Sequence, residues 1–225
     1  MTQDFHLKPG YIERVEPHYF EDEEDSEWQP DVYPFALGLL SACGASKVID
    51  IGCGKAAKLK PFFDANVAVM GIDYGANIAY CRERYPRGHW REVDLERIDE
   101  ALCKDLQFID PRGAVLIVAD VIEHLRNPWP LLQALRDWMT AARIALISTP
   151  ERDLEYGAQH SGPPPNEAHV REWNRAELET LLKAAGLNVI HVGLTRAHTS
   201  HVTLRTTLAV IGQNLMTIEP RPREA

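Results

Sequence analysis

The chain has 225 residues, enough for one α/β domain with additions and a continuous buried core. Its net charge of −9 is concentrated in Glu21-Asp-Glu-Glu-Asp-Ser-Glu27, which holds six acids and leaves the remainder at −3. That leaves no basic stripe for a nucleic-acid backbone, and the acidic run reads as a solvated segment rather than a docking site for a basic partner. Cys43, Cys53, Cys81 and Cys103 form no C-x-x-C pair and have no histidine at metal spacing. They suggest neither a zinc site nor a disulfide framework and fit reduced thiols in a cytoplasm. The start, Met1-Thr-Gln-Asp-Phe-His-Leu7, lacks a positively charged segment followed by an apolar core, and no apolar run approaches the ~20 residues of a membrane span. A soluble, unexported, cytoplasmic protein with no membrane partner is expected.

Residues 1–30 are polar and irregular, broken by Pro9-Gly10 and Pro17, and form a leader. A helix follows, with Val32, Phe35, Ala36, Leu39, Leu40 and Cys43 on one apolar face. Strands are then predicted near 47–51, 67–72, 89–93, 114–119 and 143–148, and helices near 56–65, 77–85, 130–140 and 175–185. This alternation predicts a doubly wound parallel sheet. The last helix is the best marked: Asn174 caps it with Glu177 three residues on, Leu178, Leu181, Leu182 and Ala185 form its buried stripe, and Gly186 ends it. Residues 187–195 and 202–211 are β-rich with no helix between them, which predicts an antiparallel hairpin at one edge. The sheet should thus have seven mostly parallel strands in a three-layer α/β domain spanning 31–215, with a disordered tail over 216–225.

The chemistry concentrates first at Lys47-Val-Ile-Asp-Ile-Gly-Cys-Gly-Lys55. A β-branched strand runs into a turn whose glycines have no side chains, so a ligand can rest against bare backbone beneath the amides that open the next helix. Gly52, Gly54 and Ala57 also satisfy the relaxed dinucleotide fingerprint, with Asp73 about 20 residues further on. The turn by itself leaves open a nicotinamide enzyme or a purely structural strand-to-helix turn.

Five motifs in order narrow this reading: Val48-Ile-Asp-Ile-Gly-Cys-Gly54, Gly71-Ile-Asp73, Val93-Asp-Leu95, Ala119-Asp-Val-Ile-Glu-His-Leu125 and Ser148-Thr-Pro150. Together, over residues 31–211, they resemble the class I S-adenosylmethionine-dependent methyltransferases, whose sheet also carries one reversed strand at its edge. The resemblance implies S-adenosylmethionine as cofactor and S-adenosylhomocysteine as product. It places Asp50 near the methionine amino group, Gly52, Cys53 and Gly54 against the cofactor, Asp73 on both ribose hydroxyls with Tyr74 beside it, Asp94 and Leu95 at the adenine, and Asp120 and Val121 at the methionine part. One departure stands out, since Ala56 occupies a position where the family often has a third glycine.

His124, just past the fourth strand, is a candidate base for a substrate hydroxyl; the alternative is a hydrogen bond to the start of the next helix. The stretch from Thr149 to Trp173 reads as a long irregular lid stiffened by Pro163-Pro-Pro165. It brings Tyr156 and Trp173 for an apolar or ring substrate and two more histidines. Asn166-Glu-Ala-His-Val-Arg-Glu-Trp173 resembles a stretch of bacterial methyltransferases of carbohydrate and natural-product pathways, which favours His169 over His160 as the second catalytic candidate. Against this stands a structural reading with His169 as a helix cap and Arg171 and Glu172 as a surface pair. By the same resemblance the aromatic leader folds over the site, placing Tyr11, Arg14 and Tyr33 with Tyr156 and Trp173 at the substrate. The expected reaction is methyl transfer to a small-molecule hydroxyl with histidine as base and no metal. N-methylation of a small amine, a nicotinamide-dependent oxidoreductase and a non-catalytic binding module are the alternatives.

Overall fold

The computed structural model describes residues 5–18, 27–97 and 109–214. The expected tail, Cys103 and all of the acidic run except Glu27 lie outside these residues. Helix α1 (Val32–Ala42) precedes strand β1 (Lys47–Ile51), and a 3-10 turn at Ala57–Leu59 leads into α2 (Lys60–Asp64). There follow β2 (Ala68–Asp73), α3 (Ala76–Arg84), β3 (His89–Glu92), β4 (Ala114–Ala119), α4 (Trp129–Trp138), β5 (Ile144–Pro150), α5 (Arg152–Tyr156), α6 (Arg175–Ala184), β6 (Val189–Thr195) and β7 (Thr206–Gly212).

The seven strands form one sheet in the order β3-β2-β1-β4-β5-β7-β6. The first five are parallel, and β7 runs antiparallel to both β5 and β6. Side-chain alternation divides the core between the two faces of the sheet. Ile49, Ile51, Leu116, Val118, Ala145 and Ile147 join α4 and α6 on one face, while Val48, Val115, Ile117, Ile144 and Leu146 join α1, α2 and α3 on the other. Every residue of β4 is buried, as a central parallel strand covered on both faces requires.

The order reverses between β1 and β4, so the crevice at their carboxyl ends is where an open α/β sheet receives a ligand. Helix α6 carries the expected capping box: Asn174 Oδ1 accepts from the Glu177 amide and Glu177 Oε2 accepts from the Asn174 amide. One expectation needs correction. The stretch after β5 is not irregular throughout, because Glu151 caps the short helix α5 by accepting from the Leu154 amide. A five-residue charged helix has no apolar periodicity to announce it.

Candidate active site

The carboxyl ends of β1 to β4 surround a cavity of about 900 Å³. Its floor is the turn after β1, where Gly52 and Gly54 have φ of 77° and 52°. At Gly52 a Cβ would also stand 2.4 Å from Val121 Cγ2, so both backbone and packing exclude a larger residue. Ala56 holds a left-handed conformation at φ 60° while buried, so alanine accommodates the turn at a cost of about 1–2 kcal/mol.

Asp73, ending β2, organises this floor. Its Oδ2 accepts from the Gly54 amide at 2.8 Å, and its Oδ1 accepts from the Tyr74 amide at 2.8 Å and from Asn77 Nδ2 at 3.3 Å. Asp94, past β3, accepts from the Glu96 amide at 3.0 Å and also lines the cavity. Asp120, past β4, has φ 54° and accepts from Gln29 Nε2 at 2.6 Å, while burial raises its carboxyl above the usual range. Asp50 lies behind the turn, buried, with the Tyr33 hydroxyl donating to Oδ2 at 3.2 Å. Burial lifts Asp50 to about 7, against the pull of Lys58 and of the Tyr33 hydrogen bond.

Across the cleft, the lid returns to the end of β4. The amide of Val170 donates to the Glu123 carbonyl at 2.8 Å, which sets the lid histidine against the strand-end one. The His124 and His169 rings meet edge to face with centroids 4.7 Å apart. His124 Nδ1 is 3.0 Å from the Ala168 carbonyl, so that nitrogen carries the proton and Nε2 is the acceptor. Burial, followed by the charge of His169, lowers the His124 imidazole to about 4 despite that bond. His169 Nδ1 is 2.5 Å from Glu172 Oε1, and its Nε2 is 3.0 Å from Asn166 Nδ2. Glu123 is wholly buried beneath the pair, and burial, reinforced by Asp120, raises its carboxyl well above the carboxylate range.

The leader is strapped to the lid rather than loose. Ile12, Arg14 and His18 donate backbone hydrogen bonds to Ser161, Val170 and Glu167. Arg171 donates to the carbonyls of Leu125 at 2.7 Å and Arg126 at 2.8 Å, pairs with Glu13, and lies 4.1 Å from the Phe5 ring centre. Arg171 and Glu172 are buried, so they are not a surface pair.

Of the residues expected at the cofactor, Gly52, Cys53, Gly54, Asp73, Tyr74, Asp94, Leu95, Asp120 and Val121 all line the cavity, and Asp50 stands behind it. His124 lines the cavity too, whereas His169 backs it from the lid. The five expected substrate residues stand elsewhere. Tyr11 accepts from the Glu172 amide, Arg14 donates to the His169 and Pro164 carbonyls, and Tyr33 serves Asp50. Tyr156 packs beside His160, and Trp173, fully buried, donates to the Phe5 carbonyl. Leader and lid consume Tyr11, Arg14 and Trp173 in holding each other. Sequence reading missed Trp28, Lys55, Lys58, Tyr80, Asn166 and Ala168 in the cavity wall. Asn166 and Ala168 flank the singled-out His169 and were the one available hint.

One ligand atom each from Glu123, His124 and His169 lie within 4.8 Å of one another. His169 comes from the lid, so no local spacing announces the cluster.

A family model described as a methyltransferase domain matches residues 19–192. The chain belongs to the class I S-adenosylmethionine-dependent methyltransferases. A probable S-adenosylmethionine-dependent methyltransferase of Mycolicibacterium smegmatis is 33% identical to this methyltransferase over 155 residues, covering 67% of this chain and 55% of the relative. A ubiquinone biosynthesis O-methyltransferase of Rhodopseudomonas palustris is 29% identical over 117 residues, covering 51% of this chain and 44% of the relative. The chain therefore spans about half the length of the curated relatives it matches. In fold, it is similar to magnesium protoporphyrin IX methyltransferase of Synechocystis PCC 6803 with bound SAH, with a TM-score of 0.56 at 15% identity over 81% of this chain and 82% of that one. The methyltransferase cofactor is S-adenosylmethionine, and the cleft suits it in volume and in its carboxylate acceptors at the ends of β2 and β3. Among the described residues no helix is long and apolar enough to cross a membrane.

Proposed function

We propose that this methyltransferase methylates a hydroxyl group of a small-molecule acceptor, a sugar or natural product, at the His124–His169 pair. When bound, S-adenosylmethionine supplies an electrophilic methyl carbon on a sulfonium sulfur. In this reading Asp73 accepts from the ribose hydroxyls, Asp94 and Leu95 meet the adenine, and the Gly52-Cys53-Gly54 turn and Tyr74 close on the nucleoside. Asp120 and Val121 flank the methionine part, and Asp50 stands behind it. The protein's remaining tasks are to align the acceptor oxygen, exclude water and take charge of the hydroxyl proton.

The observation that carries the reading is the position of His124. Its ring is in the cavity wall beside Asp120 and Val121, with Nδ1 committed to the Ala168 carbonyl. In that tautomer Nε2 is the ring nitrogen able to accept a proton. His169, oriented by Glu172, stands behind it. The ubiquinone O-methyltransferase relative is in keeping with oxygen as the methylated atom.

The test is to incubate the protein with S-adenosylmethionine and separate sets of hydroxyl and amine acceptors, and to locate the transferred methyl by mass spectrometry and NMR. Methylation at oxygen is expected. His124→Gln should lower turnover at saturating cofactor by about 10²–10⁴-fold with cofactor affinity retained. Methylation at nitrogen alone, or undiminished turnover in the variant, would overturn the proposal.

A further inference from the structure

We infer that Glu123, His124 and His169 form a binding site for one divalent first-row transition-metal ion at the acceptor end of the cleft. One donor atom from each lies within 4.8 Å of the other two, a spread that a single cation can draw together. Two imidazoles and a carboxylate favour a transition metal over magnesium or calcium, which prefer oxygen donors.

Three further features fit this donor set. Each histidine is already oriented as a ligand would be: His124 Nδ1 is held by the Ala168 carbonyl and His169 Nδ1 by Glu172 Oε1. Holding one ring nitrogen with a carbonyl or carboxylate directs the other at a metal and fixes its tautomer. Second, Glu123 is wholly buried beside Asp120 and Thr149, and neither of its carboxylate oxygens makes a hydrogen bond of regular geometry. A buried carboxyl so weakly satisfied is a costly arrangement, and a cation among the three side chains would relieve it. Third, the backbone holds the three together through the Val170 amide on the Glu123 carbonyl, and His124 opens the cluster to the cavity. Asn166 Nδ2, 3.0 Å from His169 Nε2, is the group an incoming ion displaces, and Asn166 itself stands in the cavity wall.

The inference rests on the reading that this pair faces the acceptor oxygen, and it specifies how the pair works. Three protein donors leave coordination positions for that oxygen. A hydroxyl bound there ionises far more readily, its proton passing to solvent as the acceptor binds and before the cleft closes on it, with the histidines serving as ligands in place of a direct base.

The test titrates the full chain, stripped with chelator and dialysed, with Co²⁺ alone, following the visible d–d absorption. One equivalent should bind, with the affinity falling at least tenfold in Glu123→Gln and in His169→Ala and remaining unchanged in His160→Ala. Circular dichroism and S-adenosylmethionine titration verify that each variant is folded. Absence of stoichiometric binding by the wild type, or equal binding by wild type and both cluster variants, overturns the inference. Because wild-type binding decides by itself, a cluster variant that fails to fold does not remove the test, and His124→Ala, at the cavity wall, then replaces it. Hydroxyl methylation that persists unchanged in chelator, with no cobalt bound, would refute the metal and keep the O-methylation. Cobalt bound at this cluster with methylation only of amines would do the reverse.

Discussion

Around the glycine turn, the polar groups of the cleft are backbone amides and carboxylates within a few residues of strand ends, facing an open cavity. Across the cleft, leader and lid are held by buried arginines that reach between distant segments, Arg152 to Glu177 and Arg171 to Glu13 and two carbonyls, while within the lid the buried Glu172 holds His169. The first arrangement follows from local geometry. The second concentrates desolvated charge, so deleting one partner leaves another uncompensated.

The largest effect should therefore come from the lid. Arg171→Ala strands the Leu125 and Arg126 carbonyls and removes the cation over Phe5, and is expected to cost about 3–5 kcal/mol of stability by urea denaturation. A loss within about 0.5 kcal/mol would mean that the strap is ornamental and that the two halves do not differ as described.

Asp50 is a buried carboxyl of the glycine-turn region and sharpens the contrast. Its folded pKa of about 7 exceeds the unfolded value near 3.8, so its contribution is whole below that value and is lost as pH rises toward 7. Asp50→Asn keeps an acceptor for the Tyr33 hydroxyl and does not titrate. The variant should gain stability relative to wild type between pH 4 and 8, by on the order of 3–4 kcal/mol, and bind S-adenosylmethionine less tightly at pH 8. Parallel pH profiles for the two proteins would show that this carboxyl is not held neutral by burial.

Asp73→Ala tests the turn itself. It should weaken S-adenosylmethionine binding by about 1.5–3 kcal/mol for each charged hydrogen bond lost, measured calorimetrically, and loosen the Gly54 amide that Asp73 holds. Unchanged affinity would remove Asp73 from the site. The smallest effect belongs to Ala56→Gly, which relieves a left-handed alanine but frees the unfolded chain, and these nearly offset one another. Thermal stability within about 0.5 kcal/mol of wild type is expected. A larger gain would show strain stored in the turn.

What the sequence by itself determined is the sheet and the glycine-turn half of the cleft. Strand periodicity, the glycines at 52 and 54, the acids at 73, 94 and 120 and the Asn174–Glu177 box all act over a few residues, and a chain read locally displays them. The positions of Tyr11, Tyr33 and Trp173 were not legible in this way, because an aromatic ring in a leader or lid has the same sequence whether it meets a ligand or packs on its own chain. Helix α5 escaped for a related reason, its stability coming from Glu151 and from Arg152 paired with Glu177. Only the tertiary structure decided that His169 meets His124 above Glu123, since the contact depends on the lid returning to the end of β4 through the Val170 amide. A spacing rule reads ligands within one turn or helix, whereas this cluster is closed by a backbone hydrogen bond between segments brought together only by the folded sheet.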